Sequence, residues 1–415
     1  MNKIEPRTLK GFRDFLPAEA RKRQYVANAL KKVFESFGFE PLETPVLEYE
    51  EILSGKYGEE GDKLMYRFED NGKRRVALRY DQTVPLARVA AQYKNDLPLP
   101  FKRYQISNVF RGENTQAGRF REFTQCDIDT IGSSSLLSDA QTIACVIAGL
   151  EELGFEKFKV IINDRNVFSD LVKKELFSAD QLPAVVRSID KLKKIGNDGV
   201  IDELGKHGLD KNTRERILRE LEELLPSEKF MKLFEYLKEL GIDETKYEFD
   251  ATLARGLDYY TGTIFEVEVE GYDVGSVAGG GRFDELVGMF SNQSIPAVGA
   301  AFGFDRIIEA MVALNLFPDL TKVPNVRILV TVFSEELLPK SMKLTNYIRE
   351  SGLNAELYDD PTVKLEKQIK YADRKGIMYA AILGPEEIKE NKVTIKNLRI
   401  PDQQTIAMED LLKVI

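Results

Sequence analysis

The segment that most constrains the fold runs from Phe101 to Gly132, FKRYQISNVFRGENTQAGRFREFTQCDIDTIG. Its residues alternate in character on both sides of a polar, glycine-bearing segment, which predicts an antiparallel hairpin with a long tip. Side chains of a strand point alternately to its two faces. One face of the hairpin is therefore expected to carry a shared set, namely Arg103, Gln105, Ser107, Val109, Arg111, Arg119, Arg121, Phe123, Gln125, Asp127 and Asp129.

A face of this composition is a poor hydrophobic core, and two interpretations of it stay open. One is the solvated outer face of an antiparallel sheet. The other is a binding floor, on which arginines meet phosphates, an aromatic ring stacks on a base, and carboxylates meet an amine or an imidazole. Guanidinium groups suit phosphate because their planar fork donates paired, charge-assisted hydrogen bonds. The rest of the chain has to distinguish the two interpretations.

Length and composition narrow the class of protein. The 415 residues predict about three domains, and 43% hydrophobic with 31% charged residues is typical of a soluble globular protein. A net charge of −9 argues against a protein that coats nucleic acid by bulk attraction. The N-terminal MNKIEPRTLKGFRD lacks an apolar signal core, so a cytoplasmic location is expected.

Histidine and cysteine, two side chains that commonly bind metals or transfer protons, are scarce. Cys126 and Cys145 are too few for a zinc set and are expected to be reduced packing residues. The single histidine, His207, lies in a charged helical region and is expected on the surface. A histidine general base and a histidine metal site are therefore not expected.

The N-terminal third contains a helix, a hairpin and a polar strand end. Residues 17–38 are predicted to form an amphipathic helix, followed by a proline-limited extended segment. The Asn71-Gly72 pair predicts a hairpin with a two-residue turn of positive φ. Asp81 and Thr83 follow its second strand at the start of a helix. They either cap that helix or bind an ammonium group at the mouth of a sheet.

The rest of the chain alternates between helical and strand-rich segments. Residues 167–248 are charged and helical in period, which predicts an insertion into the sheet domain. Strand signals return in ATLARGLDYYTGTIFEVEVE, which precedes the glycine run of SVAGGGRFDELV. Arg306 falls in the first turn of a helix predicted from near Phe304, where the helix dipole disfavours a cation without a nearby anion. From Val326, strands and helices alternate as in a separate, largely parallel α/β domain.

Together these segments resemble the histidyl-tRNA synthetases, which are class II aminoacyl-tRNA synthetases, along nearly the whole chain. The first helix with GFEPLETP resembles the class II dimer-interface motif, FKRYQISNVFRGEN with RFREF resembles the second motif, and GAAFGFDRIIEA resembles the third. RGLDYYTGTIFE and GGGRFDELV resemble the histidine-specific signatures. LRYDQTVPLAR and IINDRN are more similar to the archaeal and eukaryotic branch than to the common bacterial form.

The resemblance implies an α+β fold: a class II synthetase antiparallel sheet flanked by helices, with a helical insertion and a C-terminal α/β anticodon-binding domain. It implies a catalytic domain in two parts, 1–166 and 249–320, an insertion over 167–248 and the anticodon-binding domain over 326–415. The implied enzyme is a histidine–tRNA ligase, which activates L-histidine with ATP to histidyl-adenylate and transfers it to the 3′ end of tRNA(His). A homodimer is expected, with no membrane partner, Mg²⁺ arriving with the substrate ATP, and no zinc.

The resemblance also implies the residues of the site. The histidine-binding set is Asp81, Thr83, Arg111, Gln125, Asp129, Arg255, Tyr259 and Tyr260. The ATP-binding set is Arg111, Glu113, Arg119, Phe123 and Arg306, with the Phe123 ring under adenine and Arg306 over the other face of the adenine. The catalytic arginines are Arg255, Arg111 and Arg306, and the tRNA acceptor end is expected near Gln116 and Asn114.

Two positions depart from the family pattern. Phe283 stands where the family usually has Tyr, and Asn114 stands where many bacterial members have Arg.

Two other functions stay open. A catalytically inactive paralogue, the regulatory subunit of ATP phosphoribosyltransferase, resembles the catalytic domain but typically lacks the anticodon domain. A synthetase for another amino acid with a similar C-terminal domain is disfavoured by the RGLDYY signature. Charging of tRNA with histidine would distinguish the enzyme from the paralogue, and pyrophosphate exchange tested across amino acids would identify a synthetase for another amino acid.

Overall fold

The computed structural model describes residues 4–55, 64–114, 120–255, 259–291, 293–319 and 325–415. The chain divides into two compact units, Met1–Asp14 with Arg23–Leu316, and Phe15–Lys22 with Phe317–Ile415. Within the described ranges, none of the helices offers an apolar stretch long enough to span a lipid bilayer.

Up to Leu316 the chain alternates between strands and helices. The strands are β1 Glu40–Pro41, β2 Leu47–Tyr49, β3 Arg67–Glu69, β4 Arg75–Leu78, β5 Phe101–Phe110, β6 Glu122–Ile131, β7 Phe158–Asp164, β8 Tyr247–Phe249, β9 Thr263–Val269, β10 Ala278–Arg282 and β11 Ala297–Phe302. The helices are α1 Pro17–Ser36, α2 Glu50–Leu53, α3 Thr83–Gln92, α4 Leu136–Glu152, α5 Asn166–Lys173, α6 Leu182–Ile189, α7 Leu192–Lys206, α8 Lys211–Glu222, α9 Glu228–Glu239 and α10 Phe304–Ala313.

The first unit is organised around an eight-stranded sheet in the order β1-β5-β6-β11-β10-β9-β7-β8. Its outermost pairs, β1 with β5 and β7 with β8, are parallel, and the five pairs between them are antiparallel. A smaller sheet has the order β2-β4-β3. The predicted α+β class, with a mainly antiparallel sheet flanked by helices, is confirmed.

The predicted hairpin is the pair β5 and β6, and its register confirms the shared face. Arg103 lies opposite Asp129, and the next same-face pairs are Gln105 with Asp127, Ser107 with Gln125, and Val109 with Phe123. On the reverse face, buried Cys126 and Ile128 pack in the hydrophobic core. Because Arg103, Gln105, Asp127 and Asp129 are also buried, the interpretation of this face as a solvated surface is wrong.

The predicted hairpin of β3 and β4 is present, but its turn differs from the prediction. Positive φ occurs at Lys73 (58°) and not at Asn71 or Gly72. Asp70 Oδ1 accepts hydrogen bonds from the backbone N–H groups of Gly72 (2.8 Å) and Arg74 (2.9 Å). A carboxylate that satisfies two backbone donors stabilises this longer turn in place of the two-residue Asn-Gly turn.

The segment between β7 and β8 is helical, as its sequence period predicts. Helices α5 to α9 follow one another, and side chains from α5 to α8 enclose a core of their own, which includes Phe168, Val185, Val200, Leu204 and Ile217. His207 is exposed, as expected. The predicted domain boundaries stay a prediction.

The second unit contains a five-stranded sheet of mixed direction. Its strands are β12 Ile328–Val330, β13 Ala355–Leu357, β14 Tyr379–Ile382, β15 Lys392–Asn397 and β16 Asp402–Ala407, in the order β13-β12-β14-β15-β16. Its helices are α11 Leu338–Glu350, α12 Leu365–Lys375, α13 Pro385–Lys389 and α14 Leu411–Val414. β12 pairs in parallel with β13 and β14, whereas β14–β15 and β15–β16 are antiparallel. The predicted α/β character is confirmed, but the prediction of largely parallel strands is wrong for the last two strands.

Candidate active site

The floor of the candidate site is a stretch of sheet without side chains. Gly299 of β11 lies between Asp129 of β6 and Gly281 of β10 in the strand register. A Cβ atom on Gly299 would lie 1.9 Å from Asp129 Oδ1, and one on Gly279 would lie 2.0 Å from Arg255 Nη1. Both distances are far below contact distance. Glycine is therefore required here, because neighbouring side chains lie directly against the backbone.

Two carboxylates of β6 stand at one side of this floor. Asp127 and Asp129 are each 3% exposed. Arg103 Nη2, itself fully buried, forms an ion pair with Asp129 Oδ2 at 2.6 Å, and Gln125 Nε2 donates to Asp127 Oδ2 at 2.9 Å. The pair of strands thus holds two buried acids against one buried guanidinium.

Burial dominates the electrostatics of these acids. It raises the pKa of Asp129 to about 6, against the attraction of Arg103 and with the help of the repulsion from Asp81. Burial also raises the pKa of Asp127 well above its usual range, again opposed by Arg103 and supported by the neighbouring carboxylates. A cationic or hydrogen-donating ligand would therefore stabilise both carboxylates in their ionised form better than the unliganded protein does.

Several buried acceptors beside the acids lack a donor. Among the described residues, Oδ1 of Asp127 and Oε1 of Gln125 and Gln82 have no hydrogen-bond partner. Gln82 is held in place because its Nε2 donates to the carbonyls of Ser107 (2.9 Å) and Gln125 (3.0 Å). Acceptors fixed in this way are matched to a group that carries several N–H donors, such as an ammonium.

Asp81 and Thr83 lie where the sequence predicts, at the start of α3. Asp81 is 3% exposed, and its Oδ1 accepts a hydrogen bond from the backbone N–H of Val84 at 3.3 Å. The N-cap residue itself is Gln82, whose side chain makes no cap hydrogen bond, so the capping interpretation is supported by this one contact of Asp81. The carboxylate also raises the pKa of Tyr259, Asp127 and Asp129, after the effect of their own burial, which places its charge close to the site.

Arg255, Tyr259 and Tyr260 form the opposite side of the site. The guanidinium of Arg255 lies 5.5 Å from the centre of the Tyr260 ring, and the two tyrosine rings are 4.5 Å apart. Tyr259 Oη donates to Tyr260 Oη at 3.3 Å. Burial opposes the charge of Arg255, but Tyr260, Glu266 and other neighbours outweigh it and raise the pKa of Arg255. The arginine therefore stays cationic although its side chain is only 18% exposed.

Arg111 and Phe123 lie at the other end of the shared face. Arg111 Nε donates to the carbonyl of Tyr80 at 3.0 Å, and its guanidinium lies 5.0 Å from the centre of the Phe123 ring. Arg306 is held separately, because its Nη1 donates to the carbonyl of Ser276 at 2.9 Å. The guanidinium over Phe123 is thus that of Arg111, and a place for Arg306 above a bound adenine stays a prediction.

The residue beside Arg306 in the first turn of α10 is an acid that pairs with two other arginines. Asp305 forms ion pairs with Arg13 (3.1 Å) and Arg23. Arg23 Nη2 also donates to Thr124 Oγ1 of β6 at 2.6 Å. The bridge through Arg23 ties the start of α10 to β6 next to Phe123.

The remaining predicted residues belong to the sequence between β5 and β6. Glu113 is half-buried and its backbone carbonyl accepts from Arg121 Nε at 3.0 Å, while Asn114 is exposed. Arg119 and Gln116 lie outside the described residues. Within the described ranges, no group of three or more His, Cys, Asp or Glu side chains could hold a metal ion.

Sequence reasoning placed Arg103 and Asp127 on the polar face but did not assign them to the site. The sequence did contain the information needed to find them. In a hairpin whose two strands alternate in step, Arg103 lies opposite Asp129. Gln82 was missed between its two predicted neighbours Asp81 and Thr83. An amide between two candidate ligands gives no pattern of its own, and its role follows only from the fold.

Comparisons with known proteins agree with the predicted resemblance. The family model described as Histidyl-tRNA synthetase matches residues 11–307, and the one described as Anticodon binding domain matches residues 326–415. The histidine–tRNA ligases of Rhodopirellula baltica and Wolinella succinogenes are 39% and 40% identical to this chain, over 97% of it and 96% of each relative.

Solved structures agree with these sequence relationships. The crystal structure of histidyl-tRNA synthetase from Nostoc sp. PCC 7120 matches with a TM-score of 0.85 and 32% identity over the whole of both chains. A Bacillus halodurans structure, described as an ATP phosphoribosyltransferase regulatory subunit/histidyl-tRNA synthetase, shares the fold at 24% identity with a TM-score of 0.75, over 89% of this chain and 97% of that one. The chain belongs to the histidyl-tRNA synthetase family.

Proposed function

We propose that this enzyme activates histidine with ATP and transfers it to tRNA, with the reaction centred on the glycine floor of the eight-stranded sheet. Family membership supports the activity. The observation that carries the site is that Asp129, Arg255 and Tyr260 lie directly against Gly299, Gly279 and Gly281 on one sheet face. This arrangement brings polar side chains from separate parts of the chain together on one face of the sheet.

Each end of histidine has a matching group. Asp129 accepts from one imidazole nitrogen, and a hydroxyl of Tyr259 or Tyr260 donates to the other. The α-ammonium group binds near Asp81, Thr83 and the acceptor oxygen of Gln125. A site with such buried polar groups rejects apolar amino acids strongly, because its own groups would be left unpaired. Editing of mischarged tRNA is therefore not required.

ATP binds beside the amino acid, along the Arg111 end of the same face. Phe123 offers a ring to adenine, Arg306 contacts the nucleotide, and Mg²⁺ arrives with the phosphates near Glu113. The ionised histidine carboxylate attacks the α-phosphorus, an oxygen–phosphorus bond forms, and pyrophosphate leaves. No protein base is needed, because the nucleophile is already deprotonated at neutral pH. Arg111 and Arg255 stabilise the charge that accumulates on the α-phosphate.

The second step uses the same pocket. A ribose hydroxyl at the 3′ end of the tRNA attacks the carbonyl carbon of histidyl-adenylate, the ester bond forms, and AMP leaves. Asn114 and Gln116 are assigned to the acceptor end, and residues 326–415 to the anticodon. The regulatory-subunit alternative is not better supported, because the histidine–tRNA ligases cover 97% of this chain.

The test is histidine-dependent exchange of pyrophosphate into ATP, followed by charging of tRNA(His). Replacing Arg255 with Ala should lower exchange about 10²- to 10³-fold, by analogy with the loss of an oxyanion donor. Glu268→Ala, on the same strand face as Glu266 but paired with Lys193, is the matched control and should leave exchange unchanged. Wild-type protein that exchanges pyrophosphate with another amino acid, or an active Arg255→Ala, would contradict the assignment.

We also infer that the enzyme works as a homodimer in the cytoplasm, where its tRNA substrate is used. Val46, Leu47, Tyr49 and Phe68 are 41–51% exposed on and beside the β2-β4-β3 sheet. An apolar group of this size on one small sheet supports an interface with a second copy. Light scattering of wild type and of Leu47→Glu tests this, because the charge should convert a dimer to monomers. A wild-type monomer would contradict it.

A further inference from the structure

The guanidinium of Arg255 is fixed by three neighbours that belong to two adjacent strands. Glu266 Oε1 of β9 lies 3.3 Å from Arg255 Nη1, and the carbonyl of Phe265 accepts from the same nitrogen at 3.1 Å. Gly279 of β10, which pairs directly with Glu266, leaves the space that the guanidinium occupies. These contacts fix the end of a long side chain whose root lies in a loop.

The pair is shielded enough for its geometry to matter. The side chains of Arg255 and Glu266 are 18% and 26% exposed, so the ion pair is stronger than one on an open surface. Arginine has many rotamers, and a carboxylate on a sheet strand selects one of them. By contrast, Glu268, two residues further along β9, is 44% exposed and pairs with Lys193. Of these two same-face carboxylates, Glu266 is the one paired with Arg255.

We propose that Glu266 is a positioning residue for catalysis: it holds Arg255 where the guanidinium meets the histidine carboxylate and the α-phosphate, and it touches neither substrate. This inference rests on the role of Arg255 in the proposed function. An arginine that has to be placed within a fraction of an ångström loses much of its effect when its support is removed, because a 1 Å displacement can cost about 10²-fold in rate.

A double-mutant cycle tests the inference in the full-length protein. Pyrophosphate exchange with histidine is measured for wild type, Glu266→Ala, Arg255→Ala and the double variant, with kcat and both KM values determined separately. Glu266→Ala should lower kcat about 10- to 100-fold and change the KM for ATP less than about threefold. In the Arg255→Ala background the same change should alter the residual kcat less than about twofold, because the group it supports is gone.

Two further variants separate positioning from folding. Glu266→Gln keeps an acceptor oxygen beside Arg255 and should recover part of the kcat lost in Glu266→Ala, while Glu268→Ala should match wild type. Circular dichroism and thermal unfolding monitor the fold of every variant, and if Glu266→Ala does not fold, the cycle is run with Glu266→Gln.

The outcomes distinguish this inference from the proposed function. If Arg255→Ala retains wild-type exchange, the proposed role of Arg255 is wrong and Glu266 has nothing to position. Two results would overturn the positioning role of Glu266 while Arg255, whose Ala variant is impaired, keeps its own role. In one, Glu266→Ala and Glu266→Gln keep wild-type kcat. In the other, their losses of kcat add fully to the loss caused by Arg255→Ala.

Discussion

Replacing Asp129 with Asn should stabilise the unliganded enzyme and weaken histidine recognition at the same time. The folded protein raises the pKa of this carboxyl from 3.8 to about 6. The folded state therefore binds the proton more tightly than the unfolded chain does. The stability that this group contributes is fully present below the unfolded pKa and is lost as pH rises through the folded pKa.

The magnitude follows from the two pKa values. A shift of roughly two units corresponds to about 3 kcal/mol at pH 8, where the carboxylate is ionised in both states. Asparagine cannot ionise, so Asp129→Asn should gain about 3 kcal/mol at pH 8 and about half of that at pH 5. Urea unfolding without ligand, followed by circular dichroism at both pH values, measures the difference.

The same substitution should have an unfavourable effect on catalysis, although its effect on stability is favourable. Loss of a charged hydrogen-bond acceptor, worth about 1.5–3 kcal/mol, should lower kcat/KM for histidine about 10- to 100-fold. Glu268→Gln is the control and should change stability by less than about 0.5 kcal/mol at either pH. The competing view is that Asp129 mainly neutralises buried Arg103. In that case Asp129→Asn would lose stability at both pH values, and that result would refute the reasoning.

Two glycine substitutions test the site, and one chemical modification tests the core behind it. Gly279→Ala places a methyl group on the guanidinium of Arg255 and should lower kcat about 10²-fold in a folded protein; unchanged exchange would contradict the close contact. Gly299→Ala pushes against Asp129 and should raise the KM for histidine more than that for ATP; an equal rise in both would contradict it. Burial raises the pKa of the Cys126 and Cys145 thiols. Iodoacetamide at pH 8 should therefore modify neither thiol until urea unfolds the protein, as measured by mass spectrometry. Rapid labelling of the folded enzyme would contradict their burial.

Alternation along the central hairpin was enough to predict which side chains share a face. Strand period and antiparallel register are local properties, and the pairing of Arg103 with Asp129 follows from them. Whether that face is solvated is a different kind of question. It depends on α3 and on Tyr259, which come from other parts of the chain and pack in one cluster with Phe101 and Ile131 of the hairpin. Only the assembled fold shows that the face is buried.

Local competition explains where short-range signals failed. Asn71-Gly72 favours a two-residue turn, but Asp70 directly before it offers a carboxylate to two backbone N–H groups. The carboxylate stabilises the longer turn, and Lys73 takes the positive φ. Propensity ranks the residues of a turn one at a time, whereas the observed turn depends on which side chain satisfies the backbone donors.

The glycine run of β10 shows which part of the site is visible in the sequence and which part depends on the fold. The three consecutive glycines of β10 each have a different close neighbour: the Arg255 guanidinium at Gly279, the carbonyl of Gly299 at Gly280, and the Tyr260 ring at Gly281. The middle contact is between strands, and the outer two are with side chains of the histidine-specific segment. Because alternate glycines face the site, the strand can lie under long side chains that start elsewhere in the chain. In the proposed site, positions without a side chain therefore decide where Arg255 and Tyr260 can lie.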